Sequence, residues 1–276
     1  MKKAIIALAA FSVATPAMAQ EEAAGPISVS GSAAIVSDYR FRGVSQSDKE
    51  AAVQAGVTIS HESGFYVGTW ASNLSGWGTF GGSNMELDIY GGYTTSIGGA
   101  TLDVGLTWYM YPGGADKTDF AEPYVKVSTT AGPVSLLAGV AYAPKQQALG
   151  RWYLSGADYA TGIPNAPGAK DDNLYLWGDV AYSIPSTPLK LKAHLGYSDG
   201  NSGLGPNGTS VAPTGKYLDW LIGAEAAFGP LTLGVSYVDT DISAAESAYL
   251  QPNFSSTKNG SAIAGETVVF SLTASF

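Results

Sequence analysis

One pattern constrains this chain more than any other. From Ile27 to the C-terminus, apolar residues recur with period two in about twelve stretches, most of about ten to thirteen residues. Leu102, Val104, Leu106, Trp108 and Met110 alternate with Thr101, Asp103, Gly105, Thr107 and Tyr109. Leu189, Leu191, Ala193, Leu195 and Tyr197 alternate with Lys190, Lys192, His194, Gly196 and Ser198, and Leu174, Leu176, Gly178, Val180 and Tyr182 behave likewise. Strands of soluble proteins average about 5–6 residues, whereas a strand that crosses a bilayer needs about 9–11. After the N-terminal segment no run approaches about 18 continuous apolar residues, which excludes membrane helices. Charged residues are only 13% of the chain, against about 25% in an ordinary soluble domain. The expected fold is all-β: a transmembrane antiparallel β-barrel of about 12 strands.

The connections sort by length. Short turns fall near His61–Gly64, Ile97–Gly99, Ala131–Pro133, Ile184–Thr187 and Gly229, and long segments near Tyr39–Glu50, Asn73–Ser83, Pro112–Thr118, Pro144–Lys170, Gly200–Gly215 and Ser243–Ala262. Short periplasmic turns and long extracellular loops are the pattern of outer-membrane barrels, and a soluble sandwich has no reason to sort its loops this way. Hydrocarbon cannot bond a free strand edge, so the sheet must close, with Ile27–Asp38 and Ala264–Phe276 as the seam. The pattern at Gly64–Leu74 allows either face outward, and Pro123 removes a ladder donor. Aromatics in the outward phase gather at both ends: Tyr93, Tyr182, Phe228 and Phe276 near the short turns, Trp108, Tyr142, Tyr197, Trp220 and Tyr237 near the long loops. Such positions form girdles at the two lipid–water boundaries.

The first residues read as targeting rather than structure. Lys2 and Lys3 precede the apolar run Ala4 to Thr15, Pro16 breaks it, and Ala17-Met18-Ala19 is a small-x-small cleavage site. Residues 1–19 are therefore expected to be a cleaved signal peptide and 20–276 the barrel, localised to a bacterial outer membrane. Without Lys2 and Lys3 the formal charge of −9 becomes −11, which argues against nucleic acid as a partner. The chain has no cysteine, so disulfides, thiolate metal sites and thiol catalysis are excluded together.

The stretch Ser37-Asp38-Tyr39-Arg40-Phe41-Arg42-Gly43-Val44-Ser45-Gln46-Ser47 resembles the opening signature of the TorF family of porins. Ala52 to Gly56 and His61 to Asn73 continue the likeness, which is close over about forty residues and general elsewhere. It implies a porin without implying a substrate. The end Val268 to Phe276 is similar to the terminal strand by which outer-membrane proteins are recognised, so the insertion machinery is an expected partner through Phe276, beside outer-membrane lipid, lipopolysaccharide and small solutes.

Inward-phase residues would line the pore: the acids Glu86, Asp88, Asp103, Glu122, Asp179, Asp219 and Glu225, the bases Lys126, Lys190 and Lys192, and His194. The plain reading is that they solvate a water-filled interior and pair across strands, with Asp179 opposite Lys192. The sharper reading is a narrow porin with a preference for cations, because carboxylate rings select them. A twelve-stranded wall is narrower than that of open porins, and the Pro144–Lys170 loop, with Lys145, Arg151, Trp152, Tyr153 and Tyr159, would either constrict it or stay on the surface. Arg40 and Arg42 are placed at the extracellular rim, either as ordinary rim charges or as partners for anionic solutes or lipopolysaccharide phosphates.

Two other function classes stand beside the porin. A lipid-acting barrel enzyme would need a histidine, but His61-Glu62-Ser63 is too local for a triad and His194 has the lumen phase. A surface adhesin or receptor would follow if side chains plug the lumen. Gly203-Leu204-Gly205-Pro206-Asn207-Gly208 matches a dinucleotide pattern, yet Pro206 interrupts it and no helix follows, so it reads as a loop. Asp199 and Asn201 lack a glutamate at the twelfth loop position, so no calcium site is assigned. Neither a metal nor a cofactor is expected.

Overall fold

The computed structural model describes residues 25–276; the signal segment read at 1–19 lies outside them. The strands are β1 (Ile27–Val36), a small ribbon of β2 (Arg40–Phe41) and β3 (Val44–Ser45), then β4 (Ala52–His61), β5 (Phe65–Asn73), β6 (Met85–Ile97), β7 (Ala100–Met110), β8 (Phe120–Ala131), β9 (Val134–Gln146), β10 (Asp171–Ser183), β11 (Leu189–Asp199), β12 (Lys216–Phe228), β13 (Leu231–Thr240) and β14 (Thr267–Ser275). Two short helices, α1 (Gly156–Ala160) and α2 (Ala244–Tyr249), lie in the two longest loops. All strands except the β2–β3 ribbon form one closed antiparallel barrel in which β1 pairs with both β4 and β14. These are the twelve strands of the sequence reading. The seam is completed beyond the last strand: the Phe276 and Gly31 backbones bond each other at 2.8 and 2.9 Å.

Alternation decides the faces. Val104, Leu106 and Trp108 are exposed while Asp103 and Tyr109 are buried on the same strand. An apolar exterior around a polar interior is the inverse of a soluble protein and suits a lipid solvent. Phe65 and Val67 point outward, which settles the ambiguous β5. Pro123 is tolerated because the β8–β9 ladder begins one residue past it, at Tyr124↔Ala141. Toward the long loops the Gln146 amide replaces the ladder, donating to the Ala121 carbonyl and accepting from its N–H at 2.9 and 2.8 Å.

Strand boundaries differ from expectation where loops take the residues. β1 stops at Val36, because Asp38 turns inward to bond Arg40, and β14 begins at Thr267, because Ile263 and Ala264 are packed in the loop layer. That layer is where the apolar core sits. Two clusters of buried residues fill the long-loop mouth, one around Tyr39, Phe80, Tyr109 and Phe120, the other around Trp77, Leu204, Phe254 and Ile263. Every one of the long loops contributes to them, so the loops form a cap. The Pro144–Lys170 segment belongs to it: Ala148 and Leu149 pack beside Tyr39, and Tyr153 bridges Leu204.

Candidate functional site: the lumen and its mouth

The interior is built from cross-strand pairs of unequal size. Trp70 faces Gly56, Tyr90 faces Gly68, Tyr66 faces Gly92, Tyr124 faces Gly105 and Trp177 faces Gly139. Each ring lies where a Cβ on its glycine would stand; at Gly139 that atom would be 2.3 Å from the Trp177 ring. These inward aromatics escaped the sequence reading, which tracked only outward ones. Their signal was present as aromatic and glycine at matched even phases of neighbouring strands. They fill the side of the lumen walled by β4 to β10.

Charges are threaded between the rings. Lys126 pairs with Asp103 at 3.0 Å, and Tyr66 donates to the same carboxylate at 2.6 Å. Lys192 pairs with Glu225 at 2.7 Å. His194 lies between Asp179, 2.7 Å from Nδ1, and Asp219, 3.2 Å from Nε2, and Tyr175 joins it at 2.9 Å. The expected opposition of Asp179 and Lys192 is corrected: Asp179 pairs with His194, and Lys192 lies opposite Ala181. The hairpin closes at Ser183↔Lys190, two positions earlier than assumed, because Pro185 and Pro188 are held in a wider turn. All the candidate lumen residues project inward, including Lys190, which is only partly buried.

Arg40 and Arg42 do not form an exposed rim. The segment between β1 and β4 folds into the mouth, and both are buried, Arg42 to 2% exposure. Arg40 bonds Asp38 at 2.6 Å and donates to the carbonyls of Gly43, Ile263 and Gly265. Arg42 grips both oxygens of Glu122 at 2.8 and 2.7 Å and lies 4.1 Å above the Tyr175 ring. A charged side chain pulled under a cap needs such partners, and the barrel supplies them. The turn is tight: Arg42 and Gly43 both have positive φ, 48° and 78°, as a two-residue hairpin turn demands. A Cβ on Gly43 would meet Thr240 at 2.3 Å. Tyr39 completes the plug, its hydroxyl donating to Glu86 at 3.0 Å.

The plug's protonation states follow from its surroundings. Burial alone would weaken the Arg42 charge, but Glu122 against it holds the guanidinium above its ordinary value. Burial, then the Glu86 and Asp88 charges, push the Tyr39 phenol well up, so it remains a donor. Glu86, Asp88, Asp103, Glu122, Asp179, Asp219 and Glu225 now face Lys126, Lys190, Lys192 and Arg42. The excess of carboxyl groups is smaller than the strands alone imply, and Glu86 and Asp88, under the plug, have no ion pair among the described residues.

Beside the filled side remains a cavity of about 80 Å³, bounded by β1, β4, β5 and β11 to β14 and roofed by Asp38, Tyr39 and Arg40. Among the described residues no cluster of His, Asp or Glu is arranged to hold a metal ion. His61, exposed at the end of β4, has Ser63 Oγ 2.7 Å from Nδ1.

A family model described as "Bacterial protein of unknown function (Gcw_chp)" matches residues 20–276. No curated protein matches the chain. Similar solved structures include a porin at 9% identity and TM-score 0.43, covering 91% of this chain and 100% of that one. An outer-membrane channel from Pseudomonas putida F1 is similar at 10% identity and TM-score 0.43, covering 90% and 94%. OmpT of Vibrio cholerae is similar at 11% identity and TM-score 0.39, covering 91% and 97%.

Proposed function

The chain belongs to the Gcw_chp family, whose description assigns no activity, and we propose that it is an outer-membrane porin passing small polar solutes through a narrow, capped lumen. The TorF-like signature implies the same class. The observation that carries the reading is the closed barrel with an apolar exterior and a polar interior that keeps a cavity beneath the plug. Passage in this reading is by diffusion along the unfilled side, past the cavity under the plug. Lipid hydrolysis is disfavoured by the histidines, one in a local turn with Ser63 and the other held by two carboxylates.

The finer part of the proposal is a weak preference for cations. Carboxyl groups outnumber fixed cations in the lumen, and Glu86 and Asp88 are buried there without an ion-pair partner among the described residues. Such a field weakens as salt shortens the Debye length, about 10 Å at 0.1 M. A second reading, a capped barrel serving as surface receptor, draws on the two apolar clusters built by the loops. The reversal potential of the refolded protein across a salt gradient tests these together. A cation-signed potential that fades in concentrated salt is expected, moving toward zero in Glu86→Gln/Asp88→Asn. An anion-signed potential contradicts the preference, and no current at all favours the receptor.

A further inference from the structure

The lumen wall is divided by what stands opposite its glycines. On β4 to β10 they receive aromatic rings. On β12 and β13 they receive hydroxyls: a Cβ on Gly223 would lie 2.5 Å from Ser236 Oγ, and one on Gly234 would lie 2.4 Å from Ser271 Oγ. Thr273 stands opposite both Ala34 and Thr232. Thr232, Ser236, Ser271 and Thr273 thus form one contiguous polar stripe, and all four line the cavity. Their hydroxyls make no hydrogen bond to another described residue.

The rest of the lining is balanced in charge. Lys192 and Glu225 neutralise each other at 2.7 Å, as do Arg40 and Asp38 at 2.6 Å. Gln54 adds an amide and Trp70 an aromatic surface. The carboxylate excess at Glu86 and Asp88 does not line this space. An ion leaving water would meet no opposite net charge here to offset its desolvation. Hydroxyl groups that both donate and accept would be met in kind.

We propose that this cavity is a binding subsite for a small uncharged polyol. Resting on the channel reading, it names the solute class of that same lumen. The cavity is open to the rest of the lumen, so its volume bounds the part of a solute it grips: about 150 Å³ admits the six carbons of benzene, so about 80 Å³ holds one end of a three- or four-carbon polyol. The subsite lies on the path beneath the plug, so occupancy raises the flux of solutes that fit.

The test uses liposomes containing the refolded full chain, with protein-free liposomes as the background. Swelling is followed in isosmotic erythritol and in isosmotic serine, a zwitterion of similar size, beside ion conductance in a planar bilayer. Erythritol is expected to enter faster than serine. Thr232→Val/Thr273→Val removes two hydroxyls with little change of shape. It should lower erythritol entry on the order of five- to tenfold, the worth of two hydrogen bonds. Equal entry of erythritol and serine, or unchanged erythritol entry in the valine variant, with ion conductance present, overturns the subsite and leaves the channel standing. Absence of conductance overturns the channel and the subsite with it.

Discussion

Arg42, on a loop, holds Glu122, on the barrel wall, through both carboxylate oxygens, at 2.8 and 2.7 Å. This contact turns the segment between β1 and β4 from a surface loop into a plug. Other residues of the same segment are tied down beside it. Asp38 accepts from Arg40, Ser45 and Ser47, Tyr39 reaches Glu86, and Gly43 passes against Thr240. These contacts set the plug's position.

Removing Arg42 should therefore loosen the plug and leave the barrel. Arg42→Ala strands the buried Glu122, and breaking one partner of such a pair costs about 3–5 kcal/mol. Limited proteolysis of the folded protein should then cut within residues 37–51, where wild type resists. Arg42→Lys should restore only part of it, since an ammonium can donate to both Glu122 oxygens as Nη2 does but lacks the planar guanidinium that stacks on Tyr175. Equal protease resistance in all three proteins would show that the contact does not hold the plug.

The ring-over-glycine pairs predict a compensating rescue. Gly139→Ala places a methyl 2.3 Å from Trp177 and should destabilise the barrel by about 1–3 kcal/mol through overpacking. Adding Trp177→Ala should recover part of that loss, measured by urea unfolding in lipid. Strictly additive losses would mean that the ring has room to move aside.

The face assignment predicts an asymmetry between neighbours. Leu106 lies outward at 43% exposure, so Leu106→Arg should cost about 2–4 kcal/mol at mid-membrane depth. Thr107→Arg, on the inward side, should fold into lipid more readily. Equal folding yields for the two would reverse the assignment.

Loop sorting predicts the orientation. Ala157 lies in the long-loop cap and Ser186 in a short turn, both exposed. In a chain without cysteine, Ala157→Cys should react with an impermeant thiol reagent on whole cells and Ser186→Cys should not. Labelling of Ser186→Cys alone would invert the topology.

The barrel was legible because an apolar exterior around a polar interior imposes a period of two on every strand, and Leu102 to Met110 display it without interruption. Loop lengths located the ends, and the lumen phase of Glu86 through Glu225 followed from the same alternation. The plug was not legible. Nothing local in Arg40 or Arg42 distinguishes a rim charge from a buried one; the difference lies in Glu122, eighty positions away from Arg42. The Asp179 pairing failed for a smaller reason, since Pro185 and Pro188 widened a turn and shifted the register by two without changing the face. The Pro144–Lys170 loop drew attention by its length, yet the shorter segment around Arg42 reaches the wall.

Single-channel recording of the refolded protein in a planar bilayer tests the central claim most directly. A capped porin predicts discrete conductance steps from the wild type, and larger steps from Arg42→Ala, whose plug is unlatched. A silent bilayer from both proteins, with each shown to be folded as a barrel in lipid, would contradict a pore.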